Sequence, residues 1–497
     1  MEAARWGGGR RGAWATARAR APASPSLTVW ELGCSHGDML SSLVLAATLA
    51  TAPAPRAAAS AQTLVHVPKV DALTGLAAFL ERAGQHAALL RPSAWRTELH
   101  PFLAVDPTRP QSLSELGLDP AGPATVSMRK DGRVSCMRVA DAKVFQAKAA
   151  EAITAAGGAE AKPTTRGGVT TMHVDRDMGG SMGYAMKGKE VCAFGAIERG
   201  GADLLKESVR LVGKTPARDA RLGKVPGVAF VVSGNTVVGL DGTANALQVE
   251  GVTTKLQLPV FQARGTSPYA AMNSEGLLSS RASISPMGLF QTVDTMRSTL
   301  QVLCPTCPKE QMVSMAKAVT KQLTGHMLVN MDHVQVRGSL RAMSTRFFAV
   351  RQAVAAEVTD VAAVKAALAP LGKFPDVQVL EDGWKLPLKA GNVFVRFKGK
   401  QLVLGNDESA TQATLAALTE TGTKTVHPVD FALDPKRVAR GLAQISLTDI
   451  LADELLAALF AASSELGPLL ARSERITGWM DAAPGGAHRV SLTWPLP

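Results

Sequence analysis

Residues 174–195 read VDRDMGGSMGYAMKGKEVCAFG, and residues 388–405 read LKAGNVFVRFKGKQLVLG. Both are built alike: an extended run, a turn containing glycine, a second run, a Lys-Gly-Lys turn and a third run ending in glycine. Glycine supplies the positive φ that tight turns between antiparallel strands demand, so each stretch predicts a three-strand meander. A polar stretch and an apolar segment of helical spacing follow each one, over 202–212 and 409–418. The pattern predicts an α+β fold of two similar domains, each a mainly antiparallel sheet with helices packed on it.

Outward from the meanders, the same order of signals occurs twice. In the first half, residues 63–70 alternate like a strand, and Asp71 stands where it would cap a helix over 71–90. Residues 124–140 predict a hairpin about Asp131-Gly132, the strongest short hairpin signal in the chain. Asp141 is expected to cap the next helix, which carries Val144, Phe145, Ala149 and Ile153 on one face. Strands over 228–239 and 246–258 close the half. In the second half, helices over 289–303 and 311–323 precede three alternating runs within 326–354. Thr359 or Asp360 caps a helix ahead of the second meander, and further helices are expected within 447–470. The closing RVSLTWP at 489–495 resembles TTKLQLP at 253–259. Asp141 and Asp360, Gly188 and Gly399, and Pro259 and Pro495 keep their order and nearly their spacing. Two copies, 62–270 and 283–497, with a linker over 271–282, account for this.

The first 61 residues differ. Residues 1–38 are rich in Arg, Ala and Gly and show no hydrophobic period. From Met39 the chain reads MLSSLVLAATLATAPAPRAAASAQ. Its apolar part, residues 40–50, is too short to cross a bilayer, which takes about 20 residues. The small residues Ala59 and Ala61 suit signal-peptidase cleavage before Gln62. The expectation is a start at Met39, an upstream segment 1–38 that is not part of the protein, and export to the periplasm or beyond. The net charge of +12 is spread without a block of Lys or Arg. Diffuse charge favours loose contact with anionic polymers or lipid headgroups over a specific nucleic-acid site.

Cleavage removes Cys34 and leaves Cys136, Cys192, Cys304 and Cys307. An even number fits disulfides in an exported chain. Cys304-Pro305-Thr306-Cys307 stands before a helical pattern starting at Lys309, and a helix N-terminus lowers a thiol pKa. A redox motif of that type follows a strand, however, and here a helical segment precedes it. A pair pinning two helices is therefore expected. Cys136 and Cys192 each fall within an expected strand of the first copy; they bond if those strands lie side by side, and otherwise act as small apolar residues. Cys192 matches the neighbourhood of Val403 in the second copy.

Other motifs fail on context. Residues 179–183, GGSMG, fit the nucleophile pattern G-x-S-x-G, but a strand follows where a helix is required. Gly213-Lys214-Thr215 lacks the earlier glycine of a phosphate loop and follows a helix. The nine histidines are scattered, and His326 and His333 lack the spacing of a compact metal site. No catalytic residue, cofactor site or metal site is assigned.

The leader, the GLDP piece at Gly117–Pro120 after Leu113, the Asp141 helix and the paired meanders together resemble the uncharacterised exported, Ala-rich, internally duplicated α+β proteins of bacteria. The likeness covers residues 62–497 and brings no catalytic residues. The expected function is non-enzymatic: binding of an apolar ligand, a lipid or an envelope protein in a cleft lined by Met, Leu and Val. Seventeen methionines suit varied partners. The alternatives are a thiol–disulfide oxidoreductase using Cys304 and Cys307, and a purely structural envelope scaffold.

Overall fold

A computed structural model describes residues 63–87, 90–91, 100–103, 105–106, 109, 111–129, 131–156, 162–175, 180–196, 201–214, 222, 225–253, 266–267, 269, 276–295, 308–336, 348–374, 376–388, 391–418, 423–424, 427–444, 464, 466–483 and 487–497. The leader, the Cys304–Cys307 motif and most of 447–470 lie outside the described residues.

The first half holds β1 (Thr63–Val67), β2 (Ala124–Arg129), β3 (Gly132–Arg138), β4 (Thr164–Arg166), β5 (Val169–Asp175), β6 (Ser181–Lys187), β7 (Glu190–Ala196), β8 (Ala229–Ser233), β9 (Thr236–Thr243) and β10 (Ala246–Thr253). A short strand β11 (Thr266–Ser267) precedes the second half, which holds β12 (Leu278–Ser283), β13 (Leu323–Val336), β14 (Phe348–Val358), β15 (Gln378–Leu380), β16 (Gly383–Leu388), β17 (Gly391–Lys398), β18 (Gln401–Gly405), β19 (Thr423–Lys424), β20 (Val429–Leu433), β21 (Ile476–Ala483) and β22 (Ala487–Pro495). The described helices are α1 (Thr74–Gly84), α2 (Gln111–Glu115), α3 (Ala142–Ala155), α4 (Ala202–Leu211), α5 (Pro286–Thr295), α6 (Lys309–Lys321), α7 (Val361–Leu368), α8 (Glu408–Ala417) and α9 (Pro435–Leu442), with 3-10 turns at Val70–Leu73 and Ala369–Lys373.

Apart from β11 and β19, which pair with each other, the strands form one antiparallel sheet. Their pairings give the lateral order β4-β5-β6-β7-β3-β2-β1-β8-β9-β10 through the first half. The second half runs β15-β16-β17-β18-β14-β13-β12-β20-β21-β22. The two orders match strand for strand, and β10 pairs with β22 to join the halves. The fold is α+β with an antiparallel sheet, as the sequence predicts.

Both faces of each meander are covered. Met182, Tyr184, Met186, Val191 and Ala193 pack with Phe145, Ala149 and Ile153 of α3. Ala185, Cys192, Phe194 and Ala196 pack on the other face with Leu204 of α4. In the second half, Val395, Phe397 and Leu402 meet Val364 of α7, while Val403 meets Leu415 of α8. Strands buried on both faces read as continuous apolar runs, which is why β6 and β7 carry so few polar residues. The Lys-Gly-Lys turns fall where predicted: Gly188 and Gly399 have φ of 58° and 54° and join β6 to β7 and β17 to β18.

Several expectations are corrected. Asp71 caps nothing: it lies in a 3-10 turn, Val70–Leu73, and α1 begins at Thr74 without a side-chain cap. That helix stops at Gly84, short of residue 90. The β2–β3 turn is one residue earlier than Asp131-Gly132, because Gly132 already pairs with Arg129. The described part of 326–354 belongs to two strands, β13 and β14, and residues 337–347 between them lie outside the described residues. The pairing of β13 with β14 shifts register between Met331 and His333. The strand in β22's lateral place is β10, Ala246–Thr253, which holds the first residue of TTKLQLP, while residues 254–259 lie outside the described residues. Residues 278–282 of the segment read as a linker belong to β12, which pairs with both β13 and β20. Among the described residues no helix is long and apolar enough to cross a membrane.

Candidate functional site

The site is built on α3 and the sheet beneath it. The Asp141 carboxylate accepts from the backbone N–H groups of Lys143 and Val144 at 2.8 and 3.1 Å, which fixes the first turn of α3. Phe145, Ala149 and Ile153, spaced four residues apart, therefore share one face, and all three are fully buried. They meet Met137, Met172, Met182 and Met186 from β3, β5 and β6. Thioether side chains are unbranched and adaptable, so a layer lined by them can repack around different shapes.

Two polar side chains enter this apolar layer. His100 lies on the irregular segment before α2 and is fully buried. Its Nδ1 accepts from the Leu103 N–H at 3.1 Å, so in the neutral ring Nε2 carries the proton. That Nε2 has no hydrogen-bond partner. The ring stands edge-on to Phe102 and Phe145, with centroids 4.6 and 6.3 Å away. Burial, with a smaller contribution from the Arg133 charge, pulls its pKa down from 6.5 to about 3, so the imidazole stays neutral at physiological pH. Tyr184 meets the same Phe145 ring edge-on at 5.3 Å. It too is fully buried and its hydroxyl has no partner; burial pushes the phenol pKa up. Each unpartnered buried group costs about 1–3 kcal/mol.

The second half shows that the fold does not require these groups. Tyr184 lies opposite Ala193 in the β6–β7 ladder, and Val395 lies opposite Leu404 in the same place of the β17–β18 ladder. Phe145 and Val364 each donate a backbone N–H to the capping aspartate of their helix, Asp141 or Asp360. The α7 layer thus has Val395 and Val364 where the α3 layer has Tyr184 and Phe145. The sequence reading missed both His100 and Tyr184. The signal available was that mismatch between the meanders: a Tyr in one and a Val in the other.

On the opposite face of the same strands, Cys136 and Cys192 are bonded. They lie directly across the β3–β7 ladder, so the disulfide outcome is the one that holds. Cys304 and Cys307 lie outside the described residues, although α6 does begin at Lys309 as expected. The serine of the G-x-S-x-G pattern starts β6, and its Oγ accepts from the Gly201 N–H at 2.8 Å, in front of α4. It is a helix-entry contact. Gly213 lies just beyond α4 and donates its N–H to the Glu190 carboxylate.

Two further polar groups are assembled from residues distant in sequence. Tyr269, ahead of β12, packs onto the second half, where its hydroxyl donates to Gln401 Oε1 at 2.7 Å, and His326 Nδ1 lies 3.3 Å from Ser283 Oγ. Near the seam, His427 stacks on Trp479 at 4.1 Å and meets Asp481 at 2.9 Å, while Arg489 bonds Glu250 across β10 and β22. Both groups are internally satisfied at these contacts. Among the described residues no group of His, Cys, Asp and Glu is arranged to hold a metal ion.

No protein-family model matches the chain, and no curated protein matches it. The solved structure of TP0453 in crystal form I is similar over 72% of this chain and 93% of that one, with 9% identity and a TM-score of 0.19. At that score the likeness bears on neither fold nor function.

Proposed function

We propose that this chain is an exported, internally duplicated envelope protein that works by binding rather than catalysis, its partner an apolar small molecule, a lipid or another envelope protein. The observation that carries the binding reading is the methionine-lined α3 layer, which is closed, apolar and yet contains two polar atoms with no protein partner. Ligand sites are mostly apolar with a few placed polar groups. The Cys136–Cys192 bond supports export, since disulfides persist in oxidising compartments. The spread positive charge favours contact with anionic lipid headgroups.

Duplication is supported by the matched strand order and by the seam. Following the matched ladders from strand to strand makes Glu250 the counterpart of Ser491, and these two residues face each other across β10 and β22. A local two-fold axis through that pair relates the halves. A further mark is a size exchange: Gly183 faces Phe194 in the first meander, and Phe394 faces Gly405 in the second. A domain boundary at the seam, between residues 62–270 and 283–497, follows from this reading.

The test is to purify the protein from its host without detergent and extract it with organic solvent. Mass spectrometry of the extract is expected to find an apolar molecule in stoichiometric amount. An empty protein that also fails to take up any apolar probe counts against binding.

A further inference from the structure

We propose that the α3 layer of the first half binds an acyl chain, and that the carbonyl or carboxyl head of that chain accepts hydrogen bonds from the unpartnered donors of the layer, His100 Nε2–H and the Tyr184 hydroxyl. This rests on the binding reading above and names the site and the ligand chemistry. Both groups present a donor: His100 because its Nδ1 is already used by Leu103, and Tyr184 because a phenol donates readily. Both lack a partner and are fully buried. Both stand edge-on to one ring, Phe145, so both donors belong to the same layer. What such a place lacks is an acceptor oxygen. A tail attached to that oxygen finds Met172, Met182 and Met186, whose side chains can shift to admit it. An unattached oxygen, a buried water, satisfies the donors as well but gives the methionines no role.

The layer's counterpart has Val395 in the place of Tyr184, so the second half offers no such donor there. One site per chain follows.

The experiment is calorimetric titration of decanoate, below its micelle concentration, into the full chain and into Tyr184→Phe and His100→Phe. Tyr184→Phe removes only an unpartnered oxygen, so the free variant should melt no lower than the wild type. The wild type is expected to bind one equivalent, and Tyr184→Phe about tenfold more weakly, the effect of losing about 1.4 kcal/mol. His100→Phe is expected to show a loss at least as large, and its free melting temperature checks that it folds. If the wild type binds decanoate and both folded variants bind it equally well, this site is wrong while apolar binding stands. If neither decanoate nor any extracted lipid binds the wild type, both readings fall. Ordered water on His100 Nε2 and Tyr184 OH, unchanged by saturating decanoate, also overturns the proposal.

Discussion

Cys136 and Cys192 lie opposite each other across β3 and β7 and are bonded. The matching place in the second half is held by Ala355 and Val403, opposite each other across β14 and β18 and fully buried. The same niche, between the meander and the helix that follows it, is thus closed covalently in one half and by packing in the other. The disulfide links residues 56 apart, a span for which loss of a native bond costs about 2–5 kcal/mol. Reduction is expected to lower stability by that order in urea unfolding. The double change Cys136→Ala with Cys192→Val, which copies the second half, is expected to be the least harmful way of removing the bond. A smaller loss from Cys136→Ser with Cys192→Ser would contradict this.

Gly183 permits a close approach. A Cβ there would lie 2.0 Å from the Met172 carbonyl oxygen, and that atom is backbone. Gly183→Ala is expected to destabilise by about 1–3 kcal/mol through overpacking. At Gly405 the added Cβ meets Thr411 Oγ1, on a buried side chain whose hydroxyl donates to the Asp407 carbonyl, so relief there costs that hydrogen bond but no backbone shift. Thermal unfolding of the two alanine variants is expected to rank Gly183→Ala as the worse.

Asp141 and Asp360 hold matching helix starts, each accepting backbone N–H bonds in the first turn. Replacing either with Ala is expected to cost about 0.5–2 kcal/mol. The Asp141 change carries a second consequence. It loosens the first turn, where Phe145 meets the rings of both His100 and Tyr184, so it should also weaken binding in the α3 layer. Asp360→Ala should leave that binding untouched.

Acid should act through His100. Its folded pKa of about 3 lies below the ordinary 6.5. Above pH 6.5 the ring is neutral folded or unfolded, and its full contribution to stability is present. As pH falls below 6.5 the unfolded chain takes up a proton that the buried ring refuses. Stability is lost progressively down to about pH 3, by on the order of 4 kcal/mol at about 1.4 kcal/mol per unit. Urea unfolding over this range is expected to show a steeper loss for the wild type than for His100→Phe. Parallel curves would remove His100 from the account.

The sequence carried the meanders well because their turns need positive φ, and glycine marks such places locally. It carried the α3 and α7 starts for the same kind of reason, an aspartate bonded within its own turn. It failed where a longer-range constraint won. The register shift in β13, between Met331 and His333, leaves no mark in composition. At Asp71, the chain takes a 3-10 turn, and the backbone N–H groups of Val70 and Asp71 donate to the carbonyls of Gly122 and of Pro120, the last residue of the GLDP segment. His100 and Tyr184 come from a Pro-rich loop and a strand, and only tertiary packing brings both against Phe145. No spacing rule connects them.

The most direct test is native mass spectrometry of the chain purified from its host without reductant or detergent. A chain beginning at Gln62, with Cys136 and Cys192 resistant to alkylation and an acyl-containing molecule retained in the gas phase, is the predicted result. A chain beginning at Met1, with free thiols at those positions and no retained ligand, would contradict both export and binding.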